Sequence, residues 1–217
     1  MSRTSCRRMR LSRLLATAAI AAVALLLAAG CGSSSKDQKR AATSARPASF
    51  SGAVAHPAFP AAPLALKDYT GKRVDLRNYR GKAVLVTFIY SHCPDVCPLI
   101  VGHLHTSQAE LGGAAKRLQI VAVSTDPRGD TPSAVASFLR QHRMAGKMNY
   151  LIGSRAELGR VWKTWHIVAN PAKSNPDRVE HSALIYGISA SGKLTTLYPA
   201  NFKPAWIVHD VPLLAAR

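Results

Sequence analysis

Acidic side chains are scarce in this 217-residue chain: 11 Asp and Glu stand against 29 Lys and Arg, a formal net charge of +18. Such an imbalance raises nucleic acid as a partner, because clustered cations supply the sequence-independent part of phosphate binding. The sequence lacks that clustering. Five of the basic residues (Arg3, Arg7, Arg8, Arg10 and Arg13) fall in the first 13 positions, the others are scattered among the acids, and aromatics, at 6%, never interleave with a basic run. No nucleic-acid partner is expected, and the residual charge reads as a solvated surface of the kind that sits near anionic lipid. Apolar residues make up 47%, with 14 Gly and 13 Pro, which excludes a collagenous repeat, a coiled coil, a multi-span membrane protein and a wholly disordered chain. No internal repeat is visible. No G-x-G-x-x-G follows a strand, and Ser191-Gly192-Lys193-Leu194 lacks the rest of a phosphate loop, so nucleotide enzymes are excluded too. What remains is one globular domain of ordinary size with something added.

The addition is at the N-terminus. The Arg cluster leads into Leu14 to Ala29, sixteen residues without charge, and residues 1–30 read as a secretory signal. The small residues Ala28-Ala29-Gly30 before Cys31 resemble a bacterial lipoprotein cleavage site, which makes Cys31 the expected lipidation position. An uncleaved anchor helix is the other reading, for which this run is short of the roughly 20 residues a bilayer requires. Both leave the Arg cluster inside and put the rest, held to the cell membrane, on its extracytoplasmic face. Residues 31–57, rich in Ser, Ala, Lys and Pro, bury too little to fold and read as a tether. The folded domain is expected over residues 58–217, its first element near Phe59.

Within that domain, alternating residues on either side of Thr70-Gly71-Lys72 predict a hairpin over Leu64 to Leu76. Ala83 to Tyr90 and Leu118 to Ser124 are continuous β-branched and aromatic runs, the pattern of strands buried on both faces. A helix is expected from Pro98 to Leu111, and another opened by Thr131 as cap with Pro132 in its first turn. Asn149 to Ile152 reads as a strand, Arg155 to Trp165 as a helix, and Asn170 to Glu180 as a polar loop. Leu184 to Ile188 and Leu194 to Tyr198 form a hairpin before a last helix over Lys203 to Ala215. This order predicts an α/β sandwich.

Four cysteines carry the chemistry. Cys6 lies in the signal and Cys31 is the lipid position, leaving Cys93 and Cys97, four apart where a buried strand gives way to a helix. A bridge between them would close a tiny loop and add little stability. A helix N-terminus favours the thiolate, which is both nucleophile and metal ligand, so function outweighs a structural disulfide.

The run Tyr90-Ser91-His92-Cys93-Pro94-Asp95-Val96-Cys97-Pro98, then Val123-Ser124-Thr125-Asp126-Pro127 with Asp130-Thr131-Pro132, then His181-Ser182 entering a strand, resembles the SCO/SenC family of copper proteins. The resemblance covers roughly residues 59–217. It implies a thioredoxin-like fold, here with an N-terminal β-hairpin extension and a C-terminal helix, and a copper site used in assembling the binuclear copper centre of cytochrome c oxidase. By motif, Cys93 and Cys97 match the two thiolate ligands and His181 the imidazole ligand. The copper-site subunit of the oxidase and a copper donor are the implied partners. The donor chemistry agrees: two thiolates and an imidazole suit Cu(I) and can hold Cu(II), whereas structural zinc wants a closed set of four.

Around this set, His92 either tunes Cys93 or is an exposed loop residue; Asp95 is expected to cap the helix; Asp126 either supports the site or forms the turn before Pro127. His103 and His105 read as surface residues, and Trp162 and Trp165 as core. Two functions compete. A copper-binding assembly factor needs all three ligands. A thiol–disulfide oxidoreductase that reduces the partner's copper-site cysteines needs only Cys93 and Cys97, which then cycle through a disulfide. Retention of His181 favours copper.

Overall fold

The fold was analysed in a computed structural model, which describes residues 49–171, 179–181 and 183–217. The expected signal, Cys31 and most of the tether lie outside the described residues, as does Ser182. Among the described residues no helix is long and apolar enough to cross a membrane.

Ala83–Ile89, with every residue buried, is β4, the middle of an eight-stranded mixed sheet. The strands are β1 (Ala53–Pro60), β2 (Ala65–Asp68), β3 (Arg73–Asp75), β4, β5 (Leu118–Ser124), β6 (Asn149–Ile152), β9 (Leu184–Ile188) and β10 (Lys193–Pro199), with β7 (Ala169–Pro171) and β8 (Val179–His181) forming a separate ribbon. The order across the sheet is β1-β10-β9-β4-β5-β6-β2-β3. β4, β5 and β6 run parallel, and the flanking pairs are antiparallel. The helices are α1 (Val96–Leu111), α2 (Pro132–Gln141), α3 (Arg155–Thr164) and α4 (Pro204–Ala215).

Strand alternation divides the core in two. Leu85 and Ile89 of β4 pack with Ile100 and Leu104 of α1, Val135 and Leu139 of α2 and Ile207 and Val211 of α4. Val84, Val86 and Phe88 point the other way, onto Leu158 and Trp162 of α3 and onto Leu66 and Val74 of the β2–β3 hairpin. Trp162 and Trp165 are both core, as expected, and their indole N–H groups donate to the carbonyls of Ser124 and Pro63. Thr131 caps α2 by accepting from the Ala134 N–H at 3.2 Å, with Pro132 in the first turn.

Order begins earlier than the sequence suggests. Residues 53–57, assigned above to the tether, belong to β1, which pairs antiparallel with β10 from Ala53↔Leu197 to Pro60↔Lys193. Its residues lie exposed or half-buried at the sheet edge, so it carries no alternation and takes its conformation from its neighbour. Just ahead of it the buried Asp210 carboxylate of α4 accepts the N–H groups of Ser51 (2.9 and 3.0 Å) and Gly52 (2.9 Å) and the Tyr198 hydroxyl (2.9 Å). Gly52 lies against the Tyr198 ring, where any side chain would collide.

The parallel pairing sets the site. Ile89 of β4 is level with Ser124 of β5, and Val123 with Leu151 of β6. All three strands therefore end on one side of the sheet, with the loops after them. β9 runs the other way beside β4, with Thr87 opposite Ile185, so the chain segment holding His181 arrives at that same end.

Candidate functional site

Cys93 lies between the end of β4 and the start of α1, and Cys97 is the second residue of that helix. The third is Pro98, which has no N–H, so the Cys97 N–H is the group in the first turn that a side-chain cap would satisfy. It points at Cys93 Sγ, 3.5 Å away. Asp95 occupies the capping position but makes no side-chain capping bond, which corrects the sequence expectation: the sulfur has taken the donor that its carboxylate would have used.

Both cysteines are free and buried, and the fold separates them electrostatically. The Cys97 S–H donates to Cys93, which, against the opposing effect of burial and with help from the backbone N–H groups of Asp95 and Cys97 and from the Tyr90 hydroxyl, lowers the Cys93 thiol from 9.0 to about 5. That donation, with burial, pushes Cys97 far upward. The helix N-terminus thus favours a thiolate at one position only, where spacing alone suggested both.

His181 ends β8, directly opposite Ala169 of β7. Its Nε2 lies 3.8 Å from Cys97 Sγ. The Tyr90 ring is edge-on to His181 (centroids 5.8 Å apart) and to His92 (4.9 Å), so this tyrosine packs against both imidazoles while its hydroxyl serves Cys93. Its role was missed in the sequence, where the only signal was an aromatic closing the buried strand beside the motif. Cys93, Cys97 and His181 are therefore successive neighbours. Among the described residues no set of three or more His, Cys, Asp or Glu side chains is already spaced to hold a metal ion.

His92 is held by a carboxylate. Its Nε2 lies 3.1 Å from Asp126 Oδ2, and Asp126 Oδ1 accepts the Arg128 N–H at 3.0 Å. Asp126 thus forms the turn after β5 and holds His92. The pair fits together because residue 129 is glycine: an added Cβ would strike both side chains.

Beneath the site lies Asp130, whose role sequence reasoning also missed. It is buried, its Oδ1 accepts the Ser91 N–H at 2.7 Å and its Oδ2 accepts the Tyr150 hydroxyl at 2.9 Å. Burial raises its pKa above the usual carboxylate value, and the bonds from Ser124, Ser91 and Tyr150 partly offset that. Tyr150 also donates toward the Ile89 carbonyl at 3.2 Å, so this buried pair joins β6, the β5–α2 loop and the root of the cysteine loop. His103 and His105 are half-buried rather than surface residues; His103 packs edge-on against Phe202 at 5.4 Å.

Residues 55–215 match the family model for SCO1/SenC. A curated relative, the human mitochondrial protein SCO1 homolog, is 27% identical over 154 residues, which is 69% of this chain and 50% of the relative. The chain spans about half the length of the curated relatives it matches first. Among solved structures, Bradyrhizobium japonicum ScoI with copper bound is 26% identical with a TM-score of 0.63, covering 72% of this chain and 99% of that one. Apo Sco1 from Thermus thermophilus is 25% identical with a TM-score of 0.65, covering 78% and 98%. The mixed sheet, its flanking helices and the C-terminal α4 agree with these thioredoxin-like structures. The chain belongs to the SCO1/SenC family.

Proposed function

We propose that this protein binds copper through Cys93, Cys97 and His181 and serves as an assembly factor that delivers it to the binuclear copper site of cytochrome c oxidase. The observation that carries the reading is the meeting of Cys97 Sγ and His181 Nε2 at 3.8 Å, beside a Cys93 thiol lowered to about 5, in a chain related to a protein solved with copper bound. The donor set fits the ion: thiolate and imidazole are the soft and intermediate ligands that Cu(I) and Cu(II) take. Copper is cargo here, and the chain's own groups do the rest. Cys93 enters as a thiolate; Cys97 must give up the proton that it shares with Cys93, so binding releases a proton. The Tyr90 hydroxyl and the backbone N–H groups hold the first sulfur in place as that happens. The copper-site subunit of the oxidase and a copper donor are the partners, and a lipid on Cys31 holds the domain to the extracytoplasmic face of the membrane.

The separation of the two thiols supports a second reading, thiol–disulfide exchange with the partner. The Cys93 thiolate would attack a partner disulfide and expel one partner thiolate. Cys97 would then attack Cys93 Sγ, releasing the second partner thiol and leaving a Cys93–Cys97 disulfide, two electrons having passed to the partner.

The two readings part on His181. The reduced full-length chain in detergent, titrated anaerobically with Cu(I), is expected to take up one copper ion, to lose it in Cys93→Ala/Cys97→Ala and to bind it far more weakly in His181→Ala. Copper binding indifferent to His181, with rapid reduction of a partner disulfide, would replace delivery by exchange.

A further inference from the structure

Next to the cysteine loop lies an open cleft of about 990 Å³. Its lining includes His92, one residue from Cys93, and Ala169, the register partner of His181. It therefore adjoins the site, although neither cysteine nor His181 lines it. Among the described residues its charge is one-sided. Arg128 and Arg155 line it, both exposed and neither in an ion pair among the described residues, whereas its Asp126 carboxylate is engaged by His92 and by the Arg128 N–H. The N-termini of α2 and α3 open beside it with their positive dipole ends. Thr131 and Ser154 take one first-turn N–H in each helix, those of Ala134 and Glu157, and the two guanidinium groups are the charged donors on offer. Thr125, also on its wall, has a buried hydroxyl without a hydrogen-bond partner among the described residues.

We propose that this cleft docks an acidic segment of the protein with which Cys93 and Cys97 exchange copper, Arg128 and Arg155 holding its carboxylates. The proposal rests on the delivery reading above and adds the surface and the chemistry of the partner. Cys93 is 7% exposed and Cys97 fully buried, so an incoming ligand reaches the sulfurs only when its carrier is seated beside them. At about 990 Å³ the cleft is at the upper end of the range for small-molecule pockets and is open to solvent, which suits a chain segment. Paired arginines match carboxylates in fork geometry, and cations at the rim of such a surface set encounter rate and partner choice.

The test uses the full-length, reduced, copper-free chain in detergent and a fluorescein-labelled hexapeptide of alternating Asp and Glu, followed by anisotropy. Because the whole chain is basic, the comparison is between two reversals of equal charge: Arg128→Glu/Arg155→Glu in the cleft and Lys72→Glu/Arg73→Glu at the distant β2–β3 turn. The cleft variant is expected to bind at least roughly tenfold more weakly than the turn variant, with binding in the parent falling as salt is raised. Equal weakening in both variants would mean attraction by bulk charge alone and would overturn the proposal. So would tighter, equally Arg-dependent binding of a short single-stranded DNA or of anionic vesicles. Copper uptake by the same variants is measured in parallel: loss of copper binding by the parent sinks the delivery reading, whereas loss of arginine dependence sinks the docking site.

Discussion

The backbone N–H of Cys97 points at the sulfur of Cys93 from 3.5 Å, so one cysteine caps the helix that carries the other. The Cys97 S–H adds the larger effect, lowering the Cys93 thiol while Cys97 itself is raised, so the two sulfurs differ in protonation before any metal or partner arrives.

Alkylation of the reduced, copper-free protein should show this directly. Modification of Cys93 by iodoacetamide is expected to follow a titration centred near pH 5, set first by the Cys97 S–H and then by the backbone N–H groups and Tyr90, while Cys97 stays protonated and slow. Tyr90→Phe should move the Cys93 midpoint upward. The sign for stability follows. The Cys93 thiol is lowered in the folded state, so its contribution is full above the unfolded value of 9.0 and fades as pH falls through about 5. Cys97 is raised, so the unfolded state loses protons first above that value and the trend reverses. Urea midpoints across this range, compared with Cys93→Ala/Cys97→Ala, should show a maximum near pH 9 only in the parent.

Tyr150→Phe removes the hydroxyl shared between Asp130 and the Ile89 carbonyl. A buried acceptor left short of a donor costs about 1–3 kcal/mol, and the urea midpoint should fall accordingly. The side-chain volume is nearly unchanged, so the urea m-value should stay constant.

Asp210→Ala orphans the N–H groups of Ser51 and Gly52 and the Tyr198 hydroxyl at once. A loss of about 3 kcal/mol or more is expected, as for other buried charge-assisted networks. Hydrogen exchange should also rise at Ser51 and Gly52, with β4 unaffected below the global unfolding limit.

Gly129→Ala drives a methyl group into His92 and Asp126. His92 is substantially exposed, so its ring is expected to swing out, with a stability change within about 1 kcal/mol. The imidazole resonances of His92 in NMR would report the swing; unchanged shifts would mean that the loop backbone gives way instead.

What the sequence made legible and what it hid differ in reach. The buried strands β4 and β5 were readable from unbroken β-branched runs, and the start of α2 from Thr131-Pro132, because each signal is local. Motifs singled out Cys93, Cys97 and His181 together, and Cys97 and His181 do meet although 84 positions apart. β1 was not legible: an edge strand exposed on both faces shows no period, and only β10 makes it a strand. Asp95 failed as a cap because a sulfur two residues earlier competes for the same N–H. Asp130 stayed hidden because its meaning depends on Tyr150, twenty residues away on β6.

The carboxylate of Asp210 gives the domain a mechanical property. Chain tension transmitted from ahead of Ser51 meets three short bonds to that carboxylate before it reaches the Ala53↔Leu197 pair of the first ladder. The load passes from the first described residues straight into α4, the last helix. α4 packs on α1 and on β4 through buried side chains, so a sideways tug is shared across that whole layer instead of unzipping the sheet from its edge. By register Tyr198 is level with Ile185 and Ile185 with Thr87 of β4, so the load enters at the same end of the sheet as the two sulfurs, and α1, which carries Cys97, shares in bearing it.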